Sequence, residues 1–253
     1  MLRVGLVGYS GRMGQLIATE IEKESNLSLS CVFSRNPSCI PQDIFSTNEW
    51  GVFLNHCDVL IDFSHSSLAP SLLQALLQTP KPAIIGTTGL EDEAKSLLSQ
   101  ASNLAPIVYA TNTSQGIALL NQLVFLLSQK LPQADVEISE IHHNKKKDAP
   151  SGTAMTLAEF CAKGREVELE SVRVSGREGN IGERKSGEIG VMSFRGGDIV
   201  GRHTVGFYCE GEYLELTHNA TNRNTFAKGA IQALKWVVEQ KSGLYSMLDV
   251  LKF

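Results

Sequence analysis

Between Glu137 and Thr153 the chain reads E-I-S-E-I-H-H-N-K-K-K-D-A-P-S-G-T, a dense run of residues that move protons or bind anions. His142 and His143 are neighbours, and Lys145, Lys146 and Lys147 follow them. Val136 and Ile138 alternate with polar residues and, with Ile141, predict a strand that delivers the histidines at its end. Pro150 restricts the residue before it and stops regular structure there. Beyond it, Ala154, Leu157, Ala158, Cys161 and Ala162 recur at helical spacing, so Ser151, Gly152 and Thr153 mark a helix N-terminus. Its unpaired N–H groups and positive dipole end, with His and Lys side chains close by in sequence, suit a small anion such as a carboxylate. Taken singly, a lysine run is a solvated loop and Ser-Gly-Thr an ordinary helix start; their combination in one short segment points to chemistry. No metal is expected, because no carboxylate or cysteine falls into a ligand pattern with the two histidines.

A second chemical segment opens the chain. The Val-rich strand from Leu2 to Val7 runs into Gly8-Tyr9-Ser10-Gly11-Arg12-Met13-Gly14, and a helix follows with Met13, Leu16, Ile17 and Ile21 as its buried face. Strand, glycine turn and helix together form the context of a dinucleotide fingerprint, here spaced G-x-x-G-x-x-G. Glycines let the backbone turn tightly and approach a pyrophosphate lodged on the helix N-terminus. About twenty residues on, where an acid would hold the ribose hydroxyls of NAD, stand Ser34 and Arg35. The missing acid and the following arginine favour NADPH, with NADH still usable.

The elements that must position these residues alternate. Leu27 to Phe33 and Asp58 to Phe63 predict strands, Ser67 to Gln78 a helix, and Ala83 to Gly86 a strand ending in Gly86-Thr87-Thr88-Gly89. A helix from Glu91 to Ser102 then leads to a strand from Ile107 to Ala110 and the polar turn Thr111-Asn112-Thr113-Ser114. Cys39 to Gly51 reads as a turn-rich connection. This alternation predicts a Rossmann-like, doubly wound parallel sheet, with ligands at the carboxyl ends of its strands. After a helix from Gly116 to Lys130 the pattern changes. Ala134 to His142, Ser171 to Ser175, Ile189 to Arg195, His203 to Glu210 and Glu212 to Leu216 read as strands of a second, α+β domain with a mostly antiparallel sheet. Gly176 to Gly187 is a long charged, glycine-rich loop, suited to lid a site or reach a neighbouring subunit. The expected boundaries are a dinucleotide-binding domain over 1–113, completed by 220–253, and a substrate-binding and oligomerisation domain over 114–219.

Hydrophobic content of 42% and charged content of 20% are ordinary for a globular protein. A formal charge of −4 gives no footprint for nucleic acid or an acidic membrane surface. Five scattered cysteines form no C-x-x-C pair, the chain opens on a strand rather than a leader, and no apolar run would span a bilayer, which together suggest a reducing cytoplasm.

The segment from Glu140 through His142, His143, Lys146 and Asp148 to Ala154 resembles the dihydrodipicolinate reductase family, whose pattern is E-x-H-H-x-x-K-x-D-A-P-S-G-T-A. The turn G-x-x-G-R-M-G, the Gly86-Thr87-Thr88 loop and the run from Arg195 to His203 are similar as well, so the resemblance covers nearly the whole chain. It implies NAD(P)H-dependent reduction of a cyclic, unsaturated dicarboxylic acid in the diaminopimelate and lysine pathway. His142 would be the general acid, with Lys146 as proton donor or charge stabiliser; which of the two delivers the proton stays open. His143, Lys146, Gly152 and Thr153 would hold the carboxylates. Gly86, Thr87 and Thr88, with Ala110, Thr111, Asn112 and Thr113, would line the nicotinamide side. Thr113 stands where the family more often has an aromatic residue. The resemblance further implies a homotetramer paired through the second sheet, and a final helix from Thr225 to Gln240 that returns to the first domain. Two rival readings are a different two-domain dehydrogenase with the same nucleotide domain, and a non-catalytic sensor of the nicotinamide cofactor. Turnover, as against binding alone, separates the sensor from an enzyme.

Overall fold

The computed structural model describes residues 1–36 and 40–252, which fall into two units: Met1–Gln115 with Arg223–Phe253, and Gly116–Asn222. Cys39, one of the five cysteines, lies outside the described residues.

In the first unit, β1 (Leu2–Val7), β2 (Leu27–Phe33), β3 (Ser46–Thr47), β4 (Val59–Asp62), β5 (Ala83–Ile85) and β6 (Pro106–Tyr109) alternate with α1 (Arg12–Glu22), α2 (Trp50–Asn55), α3 (Ala69–Gln78) and α4 (Asp92–Ser102). After the second unit the chain returns with α8 (Asn224–Val237), β12 (Gly243–Tyr245) and α9 (Met247–Val250), numbered by their place in the chain. Seven strands pair in the order β12-β6-β5-β4-β1-β2-β3, and every pairing is parallel. Near-continuous apolar strands such as Val59–Asp62 are buried on both faces, as a parallel sheet between two helix layers requires. One layer holds α2, α3 and α4, whose Phe53, Leu54, Leu72, Leu73, Leu76 and Leu98 pack over Leu60 and Ile85. The other holds α1 beside α8. Strand order reverses between β1 and β4, so the carboxyl ends of those two strands open a crevice.

Local signals account for most of these elements. Pro70 sits in the first turn of α3, where its missing N–H costs nothing, and Asp92 and Glu93 face the positive end of α4. On α1 the buried residues are Gly14, Ile17, Ala18, Glu20 and Ile21. Met13 and Leu16, expected in that face, are half-buried: α1 is turned so that Gly14 lies against the Gly8 carbonyl, a contact that leaves no room for a Cβ. The connection before Gly51 contains β3 and the start of α2 rather than turns throughout.

The second unit contains α5 (Gln115–Lys130), β7 (Asp135–His142), α6 (Gly152–Gly164), α7 (Leu169–Val172), β8 (Arg173–Val174), β9 (Ile189–Arg195), β10 (Gly201–Cys209) and β11 (Glu212–Ala220). Its sheet runs β11-β10-β7-β9-β8 and is mixed. β10 pairs antiparallel with β11 and β7, whereas β7–β9 and β8–β9 are parallel. Ser171 to Ser175, expected as one strand, divides into the end of α7 and the two-residue β8. Val136, Ile138, Val191, Val205 and Phe207 meet Leu157, Ala158 and Cys161 of α6 in the core. The loop after β8 is pinned to the start of β7: Arg177 donates to Glu137 at 2.9 and 3.0 Å, and Arg184 to Asp135 at 2.6 Å.

Candidate active site

In the first unit two clefts share Phe63 and Ser64, just beyond β4, and so meet at the switch point. The larger, about 540 Å³, is walled by Gly8, Tyr9, Ser10, Gly11, Ser34 and Arg35. Gly8 has φ +88°, and a Cβ there would run into the Phe63 carbonyl; only glycine permits this approach. Gly11 caps α1, its N–H on the Gly8 carbonyl at 3.0 Å, so the helix N-terminus faces the turn. Ser34 Oγ accepts from the Asn36 N–H at 3.2 Å, which leaves its hydroxyl hydrogen to donate elsewhere, and Arg35 is exposed.

The smaller cleft, about 310 Å³, is lined by Met13, Gly86, Thr87, Thr88, Thr111, Asn112, Thr113 and Phe226. Its walls are held by a buried carboxylate at the end of β4. Asp62 accepts from Thr87 Oγ1 at 2.7 Å and from the Ser64 N–H at 3.0 Å. Burial pushes the Asp62 carboxyl above the usual carboxylate range, against those hydrogen bonds. Thr113 is buried; its Oγ1 donates to the Phe226 carbonyl at 2.7 Å. Arg12 and Ala110 are in neither wall. Ala110 ties the end of β6 to Ile85 at 3.0 Å. Burial and the Arg12 guanidinium hold Arg223, at the start of α8, below the usual arginine range.

In the second unit the strand period of two decides what gathers at the end of β7. Val136, Ile138, Glu140 and His142 share one face, so the apolar row that packs on α6 continues into a carboxylate and an imidazole. Glu140 is fully buried and opposes His203 on β10 and Ser193 on β9. Its carboxylate accepts both Arg195 guanidinium nitrogens at 2.9 Å, His142 Nδ1 at 2.5 Å and the Ser151 N–H at 3.1 Å. Burial would raise this carboxyl, but the hydrogen bonds outweigh it and hold its pKa at about 2. His142 lies below its ordinary value, since burial and the Lys146 and Arg195 charges prevail over Glu140. No described residue hydrogen-bonds its Nε2, and Gly201 presents no side chain against that atom. Lys146 pairs with Asp148 at 2.9 Å. Ser151 caps α6, its Oγ accepting from the Ala154 N–H at 3.2 Å and meeting His203 Nε2 at 3.1 Å. His203 is buried, stacks edge-on to His142 at 5.1 Å and is held by burial and that neighbour at a pKa of about 4.

The dihydrodipicolinate reductase family matches in both halves: its N-terminal region over residues 2–113 and its C-terminal region over 116–251. The chain belongs to this family. Curated 4-hydroxy-tetrahydrodipicolinate reductases of Helicobacter hepaticus and Sulfurimonas denitrificans are each 54% identical to it, over the whole of both chains. The solved structure of a dipicolinate-bound dihydrodipicolinate reductase from a Paenisporosarcina species superposes with a TM-score of 0.79 at 25% identity, covering 98% of each chain. As a member of the dihydrodipicolinate reductase family it is an oxidoreductase with a Rossmann-type half.

The family motif scatters within the second unit. His142 shares the strand face of Glu140, whereas His143 lies just past the end of β7, its N–H on the Ile199 carbonyl at 2.8 Å. Gly152 and Thr153 form the first turn of α6, with Gly152 exposed and open space where a Cβ would stand. Reading by motif left Glu140, Ser151, Arg195 and His203 without roles. For Glu140 a signal existed, because two residues apart on a strand means one shared face. Arg195 and His203 arrive only through sheet register.

Proposed function

We propose that the chain catalyses NAD(P)H-dependent reduction of 4-hydroxy-tetrahydrodipicolinate to tetrahydrodipicolinate, in diaminopimelate and lysine biosynthesis. The observation that carries the reading is His142, whose Nε2 no described residue hydrogen-bonds, four residues before Lys146 in the chain and tied through Glu140 to the N-terminus of α6. The glycine turn, too tight for any Cβ at Gly8, suits a dinucleotide pyrophosphate, and the Gly86–Thr88 and Thr111–Thr113 walls suit its nicotinamide. The cofactor supplies the hydride when bound. The protein's part is to hold the substrate carboxylates with His143, Lys146, Gly152 and Thr153 and to supply a proton. His142, kept mostly neutral by burial, gains its proton as the dicarboxylate arrives, since two negative charges beside an imidazole raise its pKa. Lys146 stabilises charge on the substrate.

Ser34 and Arg35 favour NADPH, because no acid repels a 2′-phosphate and a guanidinium stands at the rim; NADH remains usable through the glycine turn. We place the enzyme in the cytoplasm as a homotetramer. Phe194, Tyr208 and Tyr213, exposed on the second sheet, are the residues that would meet other copies. A coupled assay with the upstream synthase's product tests the central reading. His142→Gln should lose on the order of a hundredfold or more in kcat with cofactor affinity unchanged, while His143→Gln acts on KM. Turnover of His142→Gln at the parent rate would remove the assignment.

A further inference from the structure

Glu140 has been assigned no part in binding cofactor or substrate, yet it joins the second unit's groups together. Its two oxygens are divided between them. Oε2 accepts from His142 Nδ1 at 2.5 Å and from Arg195 Nη1 at 2.9 Å. Oε1 accepts from the Ser151 N–H at 3.1 Å and from Arg195 Nη2 at 2.9 Å. An ionised carboxylate only accepts hydrogen bonds, so His142 must carry a hydrogen on Nδ1. Its exchangeable position is then Nε2, the nitrogen that no described residue bonds and that lies against Gly201, where a Cβ would stand 2.9 Å away. Ser151 is the cap of α6, so the other oxygen fixes where that helix begins.

We propose that Glu140 is a positioning residue for the reduction: it locks His142 in the Nδ1–H form, so that the proton passes through Nε2, and it ties that nitrogen to the α6 N-terminus. This rests on His142 being the acid. A purely structural role for the Glu140–Arg195 pair predicts something different. Arg195 also donates to the Asp148 and Phe194 carbonyls at 2.6 Å, so it keeps partners of its own. A structural pair would not govern where the His142 proton sits or how turnover depends on pH. The groups facing His142 are Glu140 on its own strand, Arg195 from β9, His203 from β10 with His218 behind it, and Lys146 with Asp148 from the following loop. Glu140 is the carboxylate bonded to the ring, and it opposes the lowering that burial, Lys146 and Arg195 impose.

The test uses the full chain with ¹⁵N-labelled histidine, the His142 signals being assigned by their loss in His142→Gln. The unsubstituted protein should show the proton on Nδ1 at neutral pH. Glu140→Gln should lose that preference and fall on the order of a hundredfold in kcat. Its pH profile should move to lower pH, and its NADPH affinity should not change. Glu140→Asp, which keeps the charge, should recover part of the rate and the Nδ1 proton. A proton on Nε2 in the unsubstituted protein overturns the proposal, as does Glu140→Gln with an unshifted pH profile and a rate within about threefold of the parent. Should Glu140→Gln lose NADPH affinity as well, the parent tautomer and the Glu140→Asp profile decide. An active His142→Gln would sink the acid assignment instead, while the tautomer still judges Glu140.

Discussion

Replacing His203 by glutamine should flatten the acid side of the stability curve, by an amount the structure allows to be worked out. His203 is buried among groups that disfavour its charge, and burial with the neighbouring His142 brings its pKa from 6.5 to about 4. Its folded pKa is the lower one, so the unfolded chain binds the extra proton. Stability is therefore full above pH 6.5 and is lost as pH falls through the interval down to about 4. The whole interval is worth roughly 3 kcal/mol, of which about 2.5 kcal/mol is lost between pH 7.5 and 4.5. Glu140 stays ionised over most of this range, because its carboxyl is held at about 2, and its small contribution cancels between variants. Glutamine keeps an amide for the Ser151 hydroxyl but cannot titrate. Urea unfolding followed by far-ultraviolet circular dichroism at the two pH values measures the difference. Trp50 and Trp236 both belong to the first unit, so their fluorescence reports that unit separately. His203→Gln should lose about 2.5 kcal/mol less than the parent between the two pH values. Equal losses in both proteins would refute the reasoning, because the proton would then be going elsewhere.

Three further outcomes follow from the other walls. Ser34→Asp should shift the cofactor preference toward NADH, and Arg35→Ala should raise KM for NADPH alone by about ten- to a hundredfold, the worth of a charge-assisted contact; parent values favouring NADH would defeat this. Gly152→Val should fold normally, since a Cβ there meets no atom within 4 Å, yet lose dicarboxylate binding in titration calorimetry while binding cofactor as before; an unchanged dicarboxylate affinity would move the anion site off α6. Asp62→Asn places an amide donor against the Ser64 N–H or the Thr87 hydroxyl and should cost roughly 1–3 kcal/mol, with weaker cofactor binding as the Gly86–Thr88 wall loosens; an unchanged melting temperature and cofactor Kd would show that the wall does not depend on this carboxylate.

Much of this architecture is legible because its signals are local. A strand, a glycine turn and a helix lie within about twenty residues of one another at β1–α1, and each is specified by spacing that no distant contact has to correct. What was misjudged depends on partners elsewhere in the chain. α2 is six residues long and shows too little periodicity to declare itself; it forms because Phe53 and Leu54 fill the space over β2. Ser171 to Ser175 alternates like a strand, but Leu169–Val172 closes a helical turn, with Leu169 buried in the second core. The parallel half of the second sheet was hidden for the same reason, since β7 and β9 are separated by α6, α7, β8 and a long loop.

The site divides along the same line. His142 and Lys146 stand out by type, and their adjacency to Gly152 makes an anion cradle readable from one segment. The state of that chemistry is set across register. Arg195 comes opposite His142 on β9, and His203 opposite Glu140 on β10. Two adjacent histidines look equivalent in a sequence, yet β7 ends at His142, so His142 keeps the strand face of Glu140 and meets its carboxylate while His143 already belongs to the turn, its N–H on the Ile199 carbonyl. The pair therefore cannot act as twins. Where Glu-x-His closes a strand whose earlier alternate residues are apolar, the carboxylate is carried into the core with them, and the imidazole two residues on is oriented by it.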